Sequence, residues 1–249
     1  MIIRPYAFFG EPGNNPGDLL VEMGARALEL PFEDTFLIGT PWIYDQCQTR
    51  YKYQWLTEQK PQGRFIALGI GSSFPLGWTA ETHIKSLPKD QRDFLKGIWG
   101  QFDIIAVRDT VAQDWLRMLD IQSHIIPCPS VLTSVGDGPY RPGSKIFVGN
   151  FDKTEMANDA VYLEYQRGAY TEGDVESLFR FIGSHETIIS DRVHSVVPFA
   201  NKRRCAIVPV DSRHQTATVL GIQIYPKCSD LKQTRFVETR KRYQDLIRQ

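Results

Sequence analysis

What the chain lacks narrows it first. It has four cysteines, Cys47, Cys128, Cys205 and Cys228, and no two form a CxxC pair. Neither a zinc site nor a thioredoxin-type dithiol is signalled, and free buried thiols in a reducing compartment are expected. No run approaches the ~18 apolar residues that span a membrane. The apolar start, Met1 to Gly10, is too short for a secretory signal and lacks its basic region, so a cytoplasmic location is expected. There is no surplus of charge of either sign, since Lys plus Arg is 29 and Asp plus Glu is 29. Proteins that live on nucleic acid or anionic membranes usually carry a basic excess, so neither partner is indicated, although a local basic pocket is allowed. A Walker loop is missing. Gly69-Ile70-Gly71 begins like a dinucleotide loop, but Phe74 stands where the third glycine belongs, and Pro75 and Gly77 interrupt any following helix. Nicotinamide and flavin cofactors are therefore excluded. No cluster of His, Cys, Asp and Glu has metal-ligand spacing, so no metal is expected.

What is present is an ordinary globular composition: 249 residues, 42% apolar and 23% charged. That is one large domain or two small ones, with enough chain to bury a core. There is no internal repeat. Short apolar strands alternate with amphipathic helices. Strands are expected at Tyr6–Phe9, Phe36–Gly39, Phe65–Ile70, Phe102–Val107 and His124–Ile126. A helix should start near Asp18 as its N-cap, and another after Asp109, where Ala112, Trp115, Leu116 and Leu119 recur at helical spacing. Gly136 to Gly143 is the most punctuated stretch and is expected to separate residues 1–140 from residues 141–249. Beyond it come strands at Ile146–Val148, Thr187–Ile189, Cys205–Val210 and Gln223–Tyr225. Helices are expected at Glu172–Ile182 (capped by Thr171), Asp191–Asn201 and Thr216–Leu220, with a charged surface helix within Asp230–Gln249. Such alternation predicts an α/β fold with parallel sheets in two Rossmann-like halves facing a cleft, with ligands at the carboxyl ends of the strands.

Four places could carry chemistry. Asn15-Pro16-Gly17-Asp18 joins a strand to a helix; Gly17 lets backbone approach a ligand, and the helix start suits an anion or hydroxyls. A plain turn with an Asp cap is the alternative. Arg108-Asp109 ends a buried strand, which aims the arginine at the crevice unless a nearby carboxylate takes it. Ser190-Asp191-Arg192-Val193-His194 opens a stretch in which Val193, Val196, Val197 and Ala200 form a buried stripe. Arg192 and His194 flank that stripe in the expected first turn, which together would hold phosphate or carboxylate; a surface arginine and a backbone-tied histidine is the plainer alternative. Asp211-Ser212-Arg213-His214 follows another strand and either adds charge to the same crevice or is a solvated loop.

As an ordered set these residues resemble the polysaccharide pyruvyltransferase family. The family opens with Asn-x-Gly-Asp, here Asn15 to Asp18. It follows with Arg-Asp at a strand end, here Arg108-Asp109, and an Asp-Pro-Ala/Ser turn, here Cys128-Pro129-Ser130. Its signature Ser-x-Arg-Leu-His is here Ser190 to His194, with Val193 in place of Leu. The resemblance implies a GT-B-like arrangement with a C-terminal helix, an N-terminal acceptor half and a C-terminal donor half. It further implies phosphoenolpyruvate as co-substrate rather than a resident cofactor, and a ketal formed on a sugar or glycan acceptor. On that reading His194, Arg192 and Asp18 are catalytic, as acid, anion clamp and base. Asn15, Gly17, Arg108, Ser190, Arg213 and His214 bind substrate. Cys128, where the family's usual residue is Asp, removes a carboxylate from the site. Two other readings remain: a nucleotide-sugar glycosyltransferase of the same architecture, and a non-catalytic carbohydrate- or anion-binding protein.

Overall fold

The computed structural model describes residues 2–3, 15–39, 41–44, 53, 56, 61–149, 160–165, 168, 170–225 and 239–248. Two parallel sheets follow one another along the chain. The first holds β1 (Ile2–Ile3), β2 (Thr35–Ile38), β4 (Phe65–Ser73), β5 (Ile104–Val107) and β6 (His124–Ile125) in that spatial order, with β3 (Pro41–Tyr44) paired to the far end of β4. The second has the order β11-β10-β9-β7-β8, built from β7 (Arg141–Val148), β8 (Val161–Leu163), β9 (His185–Ser190), β10 (Arg204–Ile207) and β11 (Gln223–Ile224). Every ladder in both sheets is parallel.

The helices include α1 (Pro16–Arg26), α2 (Ala80–Ser86), α3 (Lys89–Trp99), α4 (Thr110–Arg117), α5 (Glu172–Gly183), α6 (His214–Thr218) and α7 (Thr239–Ile247). Strand alternation divides the core. Phe36, Ile38, Ile66, Leu68 and Ala106 face a cluster with α1, while Leu37, Phe65, Ala67, Ile105 and Val107 face another with α2, α3 and α4. The first cluster continues into the second sheet through Ile146, Val148, Ile188, Cys205 and Ile207, and through Val175, Phe179 and Ile182 of α5. One core therefore links the two sheets.

Several expectations change in detail. The cap of α1 is Asn15, whose Oδ1 accepts from Gly17 N at 3.0 Å, with Pro16 at the first helical position. Asp18 sits in the first turn, not at the cap. Asp109 does cap α4, accepting from Ala112 N at 2.7 Å, and Thr171 closes a capping box with Asp174 on α5. The expected helix 191–201 is instead two short 3₁₀ turns, Val193–Ser195 and Val197–Phe199. Pro198 accounts for the break, because it supplies no N–H and its ring clashes with the carbonyl one turn back. Helix α3 was not anticipated, although its buried Leu95, Ile98 and Trp99 carry helical spacing. The C-terminal helix is not purely a surface element: Tyr243, Leu246 and Ile247 are buried, and Tyr243 Oη donates to Pro127 O at 2.8 Å, against the first sheet's end of the chain. Cys128 and Cys205 are free and buried. The expected strand Tyr6–Phe9, Cys47, Cys228 and residues 230–238 lie outside the described residues.

Candidate functional site

A cavity of about 290 Å³ opens where the strands of both sheets end. Arg108 reaches it from the end of β5 and Tyr165 from beyond β8. Asp191, Arg192, Val193 and His194 follow β9, Val210 and Arg213 follow β10, and Asn15 and Asp18 come from the start of α1. This is the carboxyl edge at which parallel α/β sheets bind ligands. The structure thus brings together Asn15, Asp18, Arg108, Arg192, His194 and Arg213, residues the sequence had proposed from separate stretches.

Arg108 is the unusual member. It is 1% exposed, and no carboxylate lies within ion-pair distance among the described residues. Its Nη1 donates to His194 Nε2 at 3.0 Å and approaches Cys128 Sγ at 3.8 Å, while its Nε has no partner. Gly71 makes room for it: a Cβ there would lie 2.3 Å from that Nε. The adjacent Asp109 carboxyl feels the charge of Arg108, but it is spent on Ser72 and Ala112 and its pKa is raised by burial, so the guanidinium is only weakly compensated and the site is short of an anion.

His194 is pinned from two sides. A Cβ at Gly17 would lie 2.3 Å from its Nδ1, so the absent side chain at Gly17 is what lets the ring lie against α1. An arginine only donates, so Nε2 is the acceptor and the neutral ring carries its proton on Nδ1. Burial, then the charges of Arg108 and Arg213, hold its pKa well below the ordinary 6.5. In the unliganded protein His194 is neutral. This corrects the expectation that His194 stands in the first turn of an α-helix, since it lies in a short 3₁₀ turn.

The other two arginines are held differently. Arg192 N donates to Ser190 Oγ at 2.8 Å, and its guanidinium lies 4.7 Å over the Tyr165 ring. Tyr165 Oη and Ser195 Oγ are hydrogen-bonded at 2.8 Å, and burial pushes the phenol up to about 12. Arg213 is paired with Asp211, its Nε donating to Oδ1 and Oδ2 at 2.9 and 2.7 Å. Burial lowers the pKa of Arg213, but the bond to Asp211 and the charges of Asp211, Asp191 and Asp18 outweigh it and raise the net value. The positive charge of Arg213 is thus largely compensated, whereas Arg108 has no ion pair among the described residues and only the buried Asp109 carboxyl nearby.

Three proposed site residues do not line the cavity. Ser190 is buried behind it, donating to Val148 O at 2.5 Å and tying β9 to β7. Gly17 backs His194. The ring of His214 is occupied elsewhere, donating through Nδ1 to Asp211 O at 2.6 Å and accepting from Gln215 Nε2 at 3.2 Å. Tyr165, Asp191, Val193 and Val210 line the cavity without having been expected there. Asp191 stands inside the signature and could have been read there; its Oδ1 uses the space left by Gly149, where a Cβ would lie 1.8 Å away at φ +134°. Among the described residues no group of three His, Cys, Asp or Glu could hold a metal ion, and no helix is long and apolar enough to cross a membrane.

Fold and site define a parallel α/β protein with a cationic cavity at its strand ends. The chain belongs to the polysaccharide pyruvyl transferase family, whose model matches residues 33–200. That span contains Arg108, Cys128, Ser190, Arg192 and His194; Asn15, Gly17, Asp18, Arg213 and His214 fall outside it. Membership implies a transferase with a sugar or glycan acceptor. A crystal structure of a functionally uncharacterized protein from Klebsiella pneumoniae shares the fold, with TM-score 0.53 and 14% identity over 91% of this chain and 90% of that one. Among curated proteins none matches the chain.

Proposed function

We propose that the chain transfers a pyruvyl group from phosphoenolpyruvate to two hydroxyls of a sugar, forming a ketal, within a GT-B-like pair of halves. The observation that carries this is the buried guanidinium of Arg108, with no ion pair among the described residues, beside His194. It calls for an anion at that point of the cavity, in a chain whose family moves pyruvyl groups. Phosphoenolpyruvate brings a carboxylate and a phosphate, which Arg108 and Arg192 would take as bidentate clamps. The cavity volume is at the low end of the ~300–1,000 Å³ of ligand pockets, which suits a three-carbon phosphate better than a nucleoside diphosphate.

The reaction needs a proton at the methylene carbon, leaving an oxocarbenium-like carbon beside the carboxylate. One sugar hydroxyl attacks that carbon; a second displaces phosphate and closes the ring. His194 is the proposed acid. Its neutrality without ligand fits this role once the anion is counted, because Arg108 is among the charges that suppress its pKa. A bound phosphate that draws Arg108 away would free Nε2 and offset one of the two charges that act after burial, raising the His194 pKa from its suppressed value. Proton delivery is then coupled to donor binding. Asp18, on the other wall and close enough to influence Arg213, is the proposed base for the attacking hydroxyl. No metal or organic cofactor enters the scheme, and the reaction belongs in the cytoplasm.

The test is phosphate release from phosphoenolpyruvate with a panel of galactosides, mannosides and glucosides. Acceptor-dependent release supports the proposal. Release of nucleoside diphosphate from a nucleotide sugar instead would make the chain a glycosyltransferase. Saturable phosphoenolpyruvate binding with no turnover on any acceptor would make it a binding protein.

A further inference from the structure

Beside the anion cavity the two sheets are joined by one buried hydrogen-bond chain. Phe74 N donates to Ser212 Oγ at 2.7 Å, and Ser212 Oγ meets Ser72 Oγ at 2.8 Å. Ser72 Oγ in turn donates to Asp109 Oδ1 at 2.9 Å. The hydroxyl of Ser72 is committed to Asp109, so Ser212 is the donor in the middle link. Ser212 N donates back to Phe74 O at 2.8 Å, and Pro75 pairs with Asp211 in an antiparallel bridge. The segment after β4 is therefore fastened to the loop that carries Val210 and Arg213 into the cavity.

Immediately past this fastening the chain turns on itself. Trp78 N donates to Pro75 O at 3.1 Å, and Gly77 takes φ +85°, the left-handed position of a type II turn. The turn presents Leu76, 54% exposed, and Trp78, 39% exposed, and its bridge to Asp211 brings it to the loop that carries Val210, 49% exposed. The Trp78 ring lies beside that of His83, 6.3 Å between centroids and tilted by 41°. The turn contains no charged residue, and its Pro75 is bridged to Asp211, the neighbour in the chain of the cavity-lining Val210. A charged ligand gains nothing from such a rim, and a protein partner would need a far larger face. A pyranose ring fits it: its C–H face is apolar and its hydroxyl edge would point at the polar cavity. Aromatic side chains are suited to such flat, amphipathic partners.

We propose that the Pro75–Trp78 turn, with Val210, is the wall that receives a sugar ring of the acceptor and delivers its hydroxyls to the cavity. This deepens the pyruvyl-transfer reading and rests on it for the word acceptor, but carbohydrate binding at the turn can be measured without any donor. The experiment is titration calorimetry of the full chain with neutral gluco-, galacto- and manno-oligosaccharides, with and without phosphoenolpyruvate. At least one class should bind the wild type. Trp78→Ala should weaken that binding by up to about tenfold, the scale of one aromatic contact, while phosphoenolpyruvate affinity and melting temperature stay unchanged. Trp78→Tyr should retain most of it. Leu76→Asp, a change on an exposed turn, should also weaken it and guards against misfolding of the tryptophan variant. Equal oligosaccharide binding by wild type, Trp78→Ala and Leu76→Asp would overturn the proposal, as would no binding to the wild type under either condition. Oligosaccharide binding that needs Trp78, without phosphate release from phosphoenolpyruvate, would uphold the wall and refute pyruvyl transfer.

Discussion

Gly17 and His194 share one space: the imidazole Nδ1 lies 2.3 Å from where a Cβ on Gly17 would be. The first turn of α1 and the loop after β9 can meet only because residue 17 has no side chain. Gly17→Ala must displace either the ring or the helix. Overpacking of this kind costs about 1–3 kcal/mol. The expected outcome is a lower melting temperature together with a large loss of phosphoenolpyruvate affinity, since His194 and Arg108 move as a bonded pair. Normal affinity in a destabilised Gly17→Ala protein would show that the pair is irrelevant to ligand binding.

Arg108 makes the opposite prediction for stability. It is a buried charge with no ion pair among the described residues, and replacing buried charge with an apolar chain of similar length is often neutral or stabilising. Arg108→Met should therefore leave the unliganded protein within about 1 kcal/mol of wild type, on the stabilising side. It should abolish stabilisation by phosphoenolpyruvate, which for wild type at 100 times its dissociation constant is about 2.7 kcal/mol. Thermal melts of both proteins with and without ligand decide it. A variant that unfolds readily without ligand would mean that Arg108 serves the core.

Much of this site was legible because its members sit at strand ends, where an apolar run stops at a polar residue. Val107-Arg108-Asp109 and Ile189-Ser190-Asp191-Arg192 read that way directly, and Asn15 to Asp18 reads as a helix start. The 191–201 segment was misread because its stripe of Val193, Val196, Val197 and Ala200 has helical spacing, while Pro198 forbids the helix; the stripe is buried all the same. What no spacing could supply is the charge state of His194. That depends on Arg108, 86 positions earlier in the chain, and on Arg213, which only the packing of two sheets brings near. Tyr165 was invisible for the same reason: its role comes from lying under Arg192.

The depressed pKa of His194 gives a pH dependence of known sign. Unfolding returns the ring to its ordinary 6.5, so below that pH the unfolded chain binds a proton the native ring refuses. The neutral ring's contribution to stability is complete above 6.5 and is lost progressively as pH falls toward the folded value. Asp109, raised by burial from 3.8, works in the opposite direction: its contribution is full below 3.8 and fades as pH rises through the raised value. Comparing wild type with His194→Gln cancels Asp109, since both proteins contain it. Urea midpoints should fall more steeply between pH 7 and 5 in wild type than in the variant. Saturating phosphoenolpyruvate should raise the histidine's titration midpoint, read by NMR. Parallel pH profiles for the two proteins would show that the ring titrates freely.

His194→Gln also separates chemistry from packing. Glutamine keeps a group that can accept from Arg108 but cannot deliver a proton. Turnover should fall about a hundredfold or more, the scale of a lost general acid, with phosphoenolpyruvate affinity changed far less. Stopped assays on folded protein, normalised by active-site titration, check this. An unchanged rate per folded molecule would make the histidine a packing residue and move the search for the acid elsewhere.

Arg192→Lys keeps the charge and removes the shape. The guanidinium lies 4.7 Å over the Tyr165 ring with its Nε 4.0 Å from Asp191 Oδ1, and its fork can meet a carboxylate or phosphate through two parallel bonds. An ammonium has neither the plane nor the fork. The apolar stripe is untouched, and Ser190 still accepts from the backbone N–H at 192, so the fold should hold and the melting temperature should shift little. The expected result is loss of most activity, with a higher KM for phosphoenolpyruvate and an unchanged KM for the acceptor. That split is informative because the acceptor wall at Trp78 belongs to a different loop. If Arg192→Lys turned over at nearly the wild-type rate with an unchanged donor KM, Arg192 would be a tether for Tyr165, and the donor's two anionic groups would have to be held by Arg108 and Arg213 alone.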